Sequence, residues 1–148
     1  MLEEASPEKV KELEDKLLRL AAEFDNYKKR AARENDILRA KAAGDTLRKI
    51  LPIVDDFEIA ISHMDVTKDG EFKHGIELIY AKLLDFLKRE GVEEMKALGE
   101  KFDPYRHDAI RYEKGEEGKI REVIQKGYLF RGDVLRHAKV VVGKEEEK

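Results

Sequence analysis

The sequence predicts an α+β protein: a long N-terminal α-helix that pairs as a coiled coil, a helical hairpin that builds a dimeric four-helix bundle, and a small C-terminal antiparallel β domain. Three observations carry this. Apolar residues repeat every 3.5 positions near the N-terminus, every 3.6 in the middle, and about every second position after Gly91. Charged residues are 43% of the chain and hydrophobic ones 41%, so little core is available per residue and long exposed helices are favoured over a compact ball.

Ser6-Pro7 starts the first helix, with a hydroxyl cap followed by a proline whose missing N–H costs nothing there. Val10, Leu13, Leu17, Leu20, Phe24, Tyr27 and Ala31 then follow in alternating steps of three and four, which is a coiled-coil seam. Glu34 and Lys41 interrupt that register, and Ile37, Leu38 and Ala42 keep a stripe only if it drifts as in an eleven-residue repeat. An unbroken helix from Glu8 to Leu51 would be about 65 Å long, and a monomer of this size could not cover its stripe. Self-pairing is expected.

Gly44 and Pro52 mark a break or kink. One helical pattern carries Ile50, Val54, Phe57, Ile61 and Met64 and ends near "DVTKDGE"; the next carries Phe72, Ile76, Ile79, Leu83 and Phe86 and stops at Gly91. Two such hairpins, one from each chain, close their apolar faces as a four-helix bundle. The expected dimerisation residues are Leu13, Leu17, Leu20 and Phe24 in the seam, with Val54, Phe57, Ile61, Ile76, Ile79, Leu83 and Phe86 in the bundle.

Seven of the ten glycines lie from Gly91 onward. There "VEEMKAL", "DAIRYE", "KIREVIQKGY" and "DVLRHAKVVVG" are β-branched runs separated by turn residues. The expected boundaries are 1–47 for the long helix, 48–91 for the hairpin, 92–143 for the β domain and 144–148 for a frayed tail.

Several functions are disfavoured. The net charge of -3 sums 30 basic and 33 acidic side chains, giving no overall attraction to nucleic acid or anionic lipid. Cysteine is absent, so disulfides and thiolate metal sites are excluded. Neither a basic-then-apolar leader nor a stretch near the ~20 apolar residues of a membrane span is visible, and a soluble cytoplasmic protein is expected. The high Lys, Glu and Arg content hints at a thermophilic source.

His63, His74, His107 and His137 lack metal-ligand spacing, and no nucleotide-binding or hydrolase motif is present. Asp103, His107 and Asp108 invite an acid–base reading, but His107 and Asp108 on a strand would point to opposite faces. Phe102-Asp103-Pro104 reads instead as a rigid turn, with aspartate initiating it and proline fixing φ. No catalytic residue, metal or cofactor is expected. A second reading uses the basic cluster at 27–33, within "YKKRAARE", to make a coiled-coil scaffold or nucleic-acid binder. Glu23, Asp25, Glu34 and Asp36 flank that cluster and confine its field.

The stretches "FDNYKKR", "ILPIVDDFEIAI", "GIELIYAKLLDFLKREGVE", "FDPYRHDAI" and "VIQKGYLFRGDVLRHAKVVV", in that order, resemble the GrpE nucleotide exchange factors, partners of the DnaK-type Hsp70 chaperone. The resemblance spans about 24–142 and implies a homodimeric interaction protein, not an enzyme. Its β domain would press on the ATPase domain of the chaperone, open the nucleotide cleft and release ADP. Residue by residue it implies partner contacts at Lys28, Phe102, Asp103, Pro104, Ile124, Gly127, Tyr128 and Val142. Packing is the competing reading for Phe102, Ile124 and Val142, and a turn for Gly127. Gly75 matches a glycine of the bundle, where close helix packing is expected. Three positions depart from the family pattern. Ile59 stands where arginine is usual, His137 replaces a small residue or proline, and Lys28 exchanges arginine's planar fork for a point charge.

Overall fold

The computed structural model describes Glu4 and residues 6–146. The other residues of the expected 1–47 segment, and the last two of the expected tail, lie outside the described residues. The chain divides into two units, 1–43 and 44–148.

Helix α1 runs Pro7–Ser62. Ser6 caps it, its Oγ accepting from the Lys9 N–H at 3.2 Å. Within the first unit nearly every side chain is exposed. Leu13, Leu17, Leu20 and Phe24 are 51–66% exposed, so nothing among the described residues covers the seam. The polar flanks are laced by one-turn ion pairs, Lys16–Glu12 at 3.2 Å, Lys29–Asp25 at 3.1 Å and Arg30–Glu34 at 3.8 Å. Each contributes a few tenths of a kcal/mol, about 0.3–0.5. Two of them engage the basic cluster at 27–33, which weakens its pull on phosphate.

The expected break is not seen: α1 passes through both Gly44 and Pro52. Gly44 is buried because the Phe130 ring lies 3.3 Å from where a Cβ would sit. Pro52 removes the N–H that would bond the Arg48 carbonyl, but Leu47, Leu51 and Val54 on either side are buried and hold the helix in place. The buried residues of α1 are Gly44, Leu47, Leu51 and Val54, a face that shares only Val54 with the one expected to line the bundle. Val54, expected at the dimer contact, is 0% exposed within the single chain, so it is core.

Helix α2, Val66–Arg89, starts six residues before Phe72 and includes "TKDG". Asp65 caps it, accepting from the Thr67 N–H at 2.9 Å and hydroxyl at 2.7 Å, while Asp69 accepts from the Asp65 N–H at 3.2 Å. This reciprocal cap outweighs the helix-weakening Gly70. Phe57 of α1 stacks on Tyr80 of α2 with ring centres 6.4 Å apart. Ile61, Ile76 and Leu83 are half-buried, and Ile79 and Phe86 remain exposed. Around Gly75 a Cβ would meet nothing within 4 Å, so any close packing there would come from outside the chain. Gly91, at φ +96°, ends the hairpin.

Among the described residues six strands follow: β1 (Val92–Glu94), β2 (His107–Lys114), β3 (Ile120–Gln125), β4 (Tyr128–Phe130), β5 (Asp133–Arg136) and β6 (Ala138–Lys144). They form two three-stranded sheets, β1-β4-β5 and β2-β6-β3. The expected antiparallel pairing holds for β1·β4, β4·β5 and β3·β6. However, β2 and β6 run parallel, because the chain makes the whole β3–β5 excursion before returning beside β2. Central strand β6 is buried on both faces. Val140 and Val142 join Met95, Ala97, Ile120 and Ala138 in the core. Val141 lies on the other face, between Arg111 and Glu122 in register, whose ion pair at 3.5 Å spans it.

Candidate partner-binding site

The turn at 102–107 is built by its own polar groups. Asp103 Oδ1 accepts from the Tyr105 N–H at 2.9 Å, and the Asp103 carbonyl accepts from the Arg106 and His107 N–H groups at 3.0 and 2.9 Å. The Asp103 N–H in turn donates to His107 Nδ1 at 2.9 Å. That bond requires an unprotonated Nδ1, so the ring carries its proton on Nε2. His107 is buried, and burial pushes its pKa below the ordinary value. Arg106 and His137 reinforce that shift, while the Asp103 and Glu100 carboxylates oppose it.

Around this knot, Phe102 is half-buried against the β-domain core, with its ring 5.9 Å from that of His107. Its N–H donates to the Gly118 carbonyl at 2.8 Å, and the Arg106 carbonyl accepts from Ala138 at 3.1 Å. The turn is thus stitched to the β2–β3 loop and to β6. It presents outward the exposed Pro104 and, above all, Tyr105, which is 84% exposed. Tyr105 is not among the contact residues that the resemblance implies. The available signal was an aromatic residue directly after a proline-fixed turn, where no strand or helix period calls for one.

The arrangement does not assemble an acid–base centre. His107 spends Nδ1 on the backbone, and Asp103 spends its carboxylate on Tyr105 and on an ion pair with Arg106 at 3.8 Å. Asp108, on the opposite face of β2, pairs with His137 at 3.0 Å. These are structural bonds.

The remaining expected contact residues of the second unit are partly exposed and partly buried. Ile124 is exposed on β3. Tyr128 and Val142, at 2% and 3% exposure, are core residues whose side chains cannot meet a partner in this structure. Burial, then the Glu58 and Glu94 carboxylates, push the Tyr128 hydroxyl pKa upward, and its oxygen has no hydrogen-bond partner among the described residues. Gly127 is where a Cβ would lie 2.6 Å from the Ala138 backbone nitrogen and 2.7 Å from Met95 Sδ, so close packing requires glycine there. Lys28 lies in the first unit, with its ammonium 4.9 Å from the centre of the Phe24 ring. Of the departures, Ile59 is an exposed apolar residue on α1 and His137 joins β5 to β6.

The sequence pattern of the GrpE family matches residues 2–144. "Protein GrpE" of Parabacteroides distasonis is 42% identical over 146 residues, covering 95% of this chain and 75% of that protein. "Protein GrpE" of Bacteroides fragilis is 40% identical over 139 residues, covering 90% and 71%, and that of Bacteroides thetaiotaomicron is 40% identical over 139 residues, covering 90% and 72%. A family pattern that covers nearly the whole chain, together with relatives about 40% identical along most of it, shows that the chain belongs to the GrpE family.

Proposed function

We propose that this chain is a homodimeric co-chaperone. It binds the ATPase domain of a DnaK-type Hsp70, opens the nucleotide cleft and promotes ADP release without itself catalysing a reaction. The observation that carries the reading is the family match over residues 2–144. The self-bonded turn supports it, since a contact built in advance leaves little ordering cost at binding. Phe102, Asp103 and Pro104 shape that contact, Tyr105 tips it and Ile124 adds to it, and Lys28 offers a contact of its own from the first unit.

Dimerisation follows from the uncovered apolar side chains of both units, Leu13 to Phe24 in the seam and Ile79 and Phe86 in α2. The functional division is a coiled-coil segment over 1–47, a bundle hairpin over 48–91 and a β domain over 92–143. The protein works in the cytoplasm, and among the described residues no helix is long and apolar enough to cross a membrane. The interruptions at Glu34 and Lys41 make the seam the weaker part, so heating loosens it first and tunes exchange with temperature. One unfolding transition shared by far-UV dichroism and a dimer-sensitive probe would rule that out.

Cleft opening needs no chemistry. A partner that binds the open ATPase domain more tightly than the closed one shifts the population by that difference, about 1.4 kcal/mol for each factor of ten. Linkage then makes the effect reciprocal. Titration of the ATPase domain with and without ADP tests this: ADP should weaken binding of this chain. Equal affinity in both states would refute it.

A further inference from the structure

The face of α1 that meets the β domain carries charge among its apolar contacts. Arg136 of β5 grips Asp55 of α1 with both arms, Nη1 to Oδ2 at 2.6 Å and Nη2 to Oδ1 at 2.8 Å, and the two side chains are 16% and 18% exposed. The same guanidinium donates to the Lys126 carbonyl at 2.6 and 3.1 Å and lies 5.3 Å over the Tyr128 ring. Gln125 adds a bond to Asp55 Oδ2 at 3.3 Å. One turn further along α1, Glu58 takes the Lys126 ammonium at 2.8 Å and a bond from the Tyr80 hydroxyl of α2, while Glu94 of β1 holds the same ammonium at 3.5 Å. Burial alone would lower the Lys126 pKa, but the two carboxylates outweigh it and raise it. On the preceding turns, Arg48 Nε donates to the Leu135 carbonyl at 2.8 Å.

Such a buried pair is poorly explained by stability, because desolvation offsets most of its attraction. It is well explained by direction. Apolar packing on the same helix, such as the Phe130 and Leu135 side chains over Gly44, is non-directional and tolerates sliding, whereas a bidentate fork admits one geometry. We propose that the Asp55–Arg136 pair is a positioning clamp: it fixes the angle of the β domain on α1, and that fixed angle turns chaperone binding into cleft opening. A β domain free to rock would grip closed and open chaperone alike, so binding would persist while the differential affinity vanished. The second half of the inference rests on the exchange-factor reading above; the first half does not.

Two variants test it. Asp55→Asn keeps the shape and removes the charge, and the double variant Asp55→Leu/Arg136→Met replaces the fork by apolar groups that keep the contact filled. Both are titrated against an ADP-loaded DnaK-type ATPase domain, reading the maximal ADP release rate and the half-saturating concentration separately. The clamp predicts that the maximal rate falls about tenfold or more while half-saturation moves less than about threefold. A double variant as stable as the parent and fully active would overturn the coupling. The angle is read independently by spin labels at Lys49→Cys and Lys119→Cys, diluted with unlabelled chain to suppress distances between subunits. The parent should give a narrow distance distribution and the variants a broad one. Equally narrow distributions would overturn the clamp itself, and a parent that fails to release ADP would sink only the exchange reading.

Discussion

Truncating Leu51 to alanine should remove the largest fully buried side chain that α1 contributes. The side chain is 0% exposed and stands between Leu47 and Val54 on one helical face. Leucine-to-alanine changes in cores cost about 2–5 kcal/mol, depending on how far the site can collapse. Collapse is limited here, because α1 is tied one turn on either side by the Arg48–Leu135 and Asp55–Arg136 bonds, so about 3–4 kcal/mol is expected. Helix propensity does not confound the comparison, since alanine and leucine are both strong helix formers. With a urea dependence of about 2 kcal/mol per molar, the unfolding midpoint should fall by about 1.5–2 M at fixed chain concentration. Leu98→Ala, on an exposed loop, should change stability by less than about 0.5 kcal/mol. A Leu51→Ala midpoint within experimental error of the parent would refute the assignment of this face to the intrachain core.

Gly127→Ala should destabilise the β domain by more than about 1 kcal/mol, because the new Cβ would meet the Ala138 backbone nitrogen at 2.6 Å; an unchanged thermal midpoint would contradict this. Tyr105→Ala should leave folding intact and weaken chaperone binding about tenfold, whereas Phe102→Ala, half in the core, should weaken both; titration beside a urea melt separates the two, and full affinity in Tyr105→Ala would remove it from the contact. His107 carries a folded-state pKa lowered mainly by burial, so the unfolded chain takes up the proton first. Its contribution to stability is complete above about pH 6.5 and is lost as pH falls toward the lowered value, with a slope of at most about 1.4 kcal/mol per pH unit. His107→Gln should flatten that acid limb without abolishing ADP release, and an identical pH profile in the variant would contradict the bond at Nδ1.

Much of this architecture is written in local signals. Ser6-Pro7 announces the start of α1, Gly91 stops the hairpin, and Asp103-Pro104 builds its turn from adjacent residues. Other features depend on contacts between distant residues. Gly44 and Pro52 look like breaks, and only the Phe130 ring over Gly44 and the packing of Leu51 explain why the helix continues. The β-facing side of α1 was hidden because Arg48, Asp55 and Glu58 interleave its apolar positions and resemble a solvated face; in the fold they bond Leu135, Arg136 and Lys126. The parallel pairing of β2 with β6 likewise depends on a long excursion that period-2 patterns do not encode. In the candidate site the turn is legible in the sequence, but no strand or helix period marks Tyr105, and the resemblance alone implies contacts at Tyr128 and Val142, which the fold keeps in its core.

The central claim is most directly tested by rapid mixing of a DnaK-type ATPase domain carrying fluorescent ADP with this chain and excess unlabelled nucleotide. Release should accelerate with increasing chain concentration and reach a plateau, as differential binding to the open cleft requires. An ADP dissociation rate unchanged by the folded chain at every concentration would contradict the account.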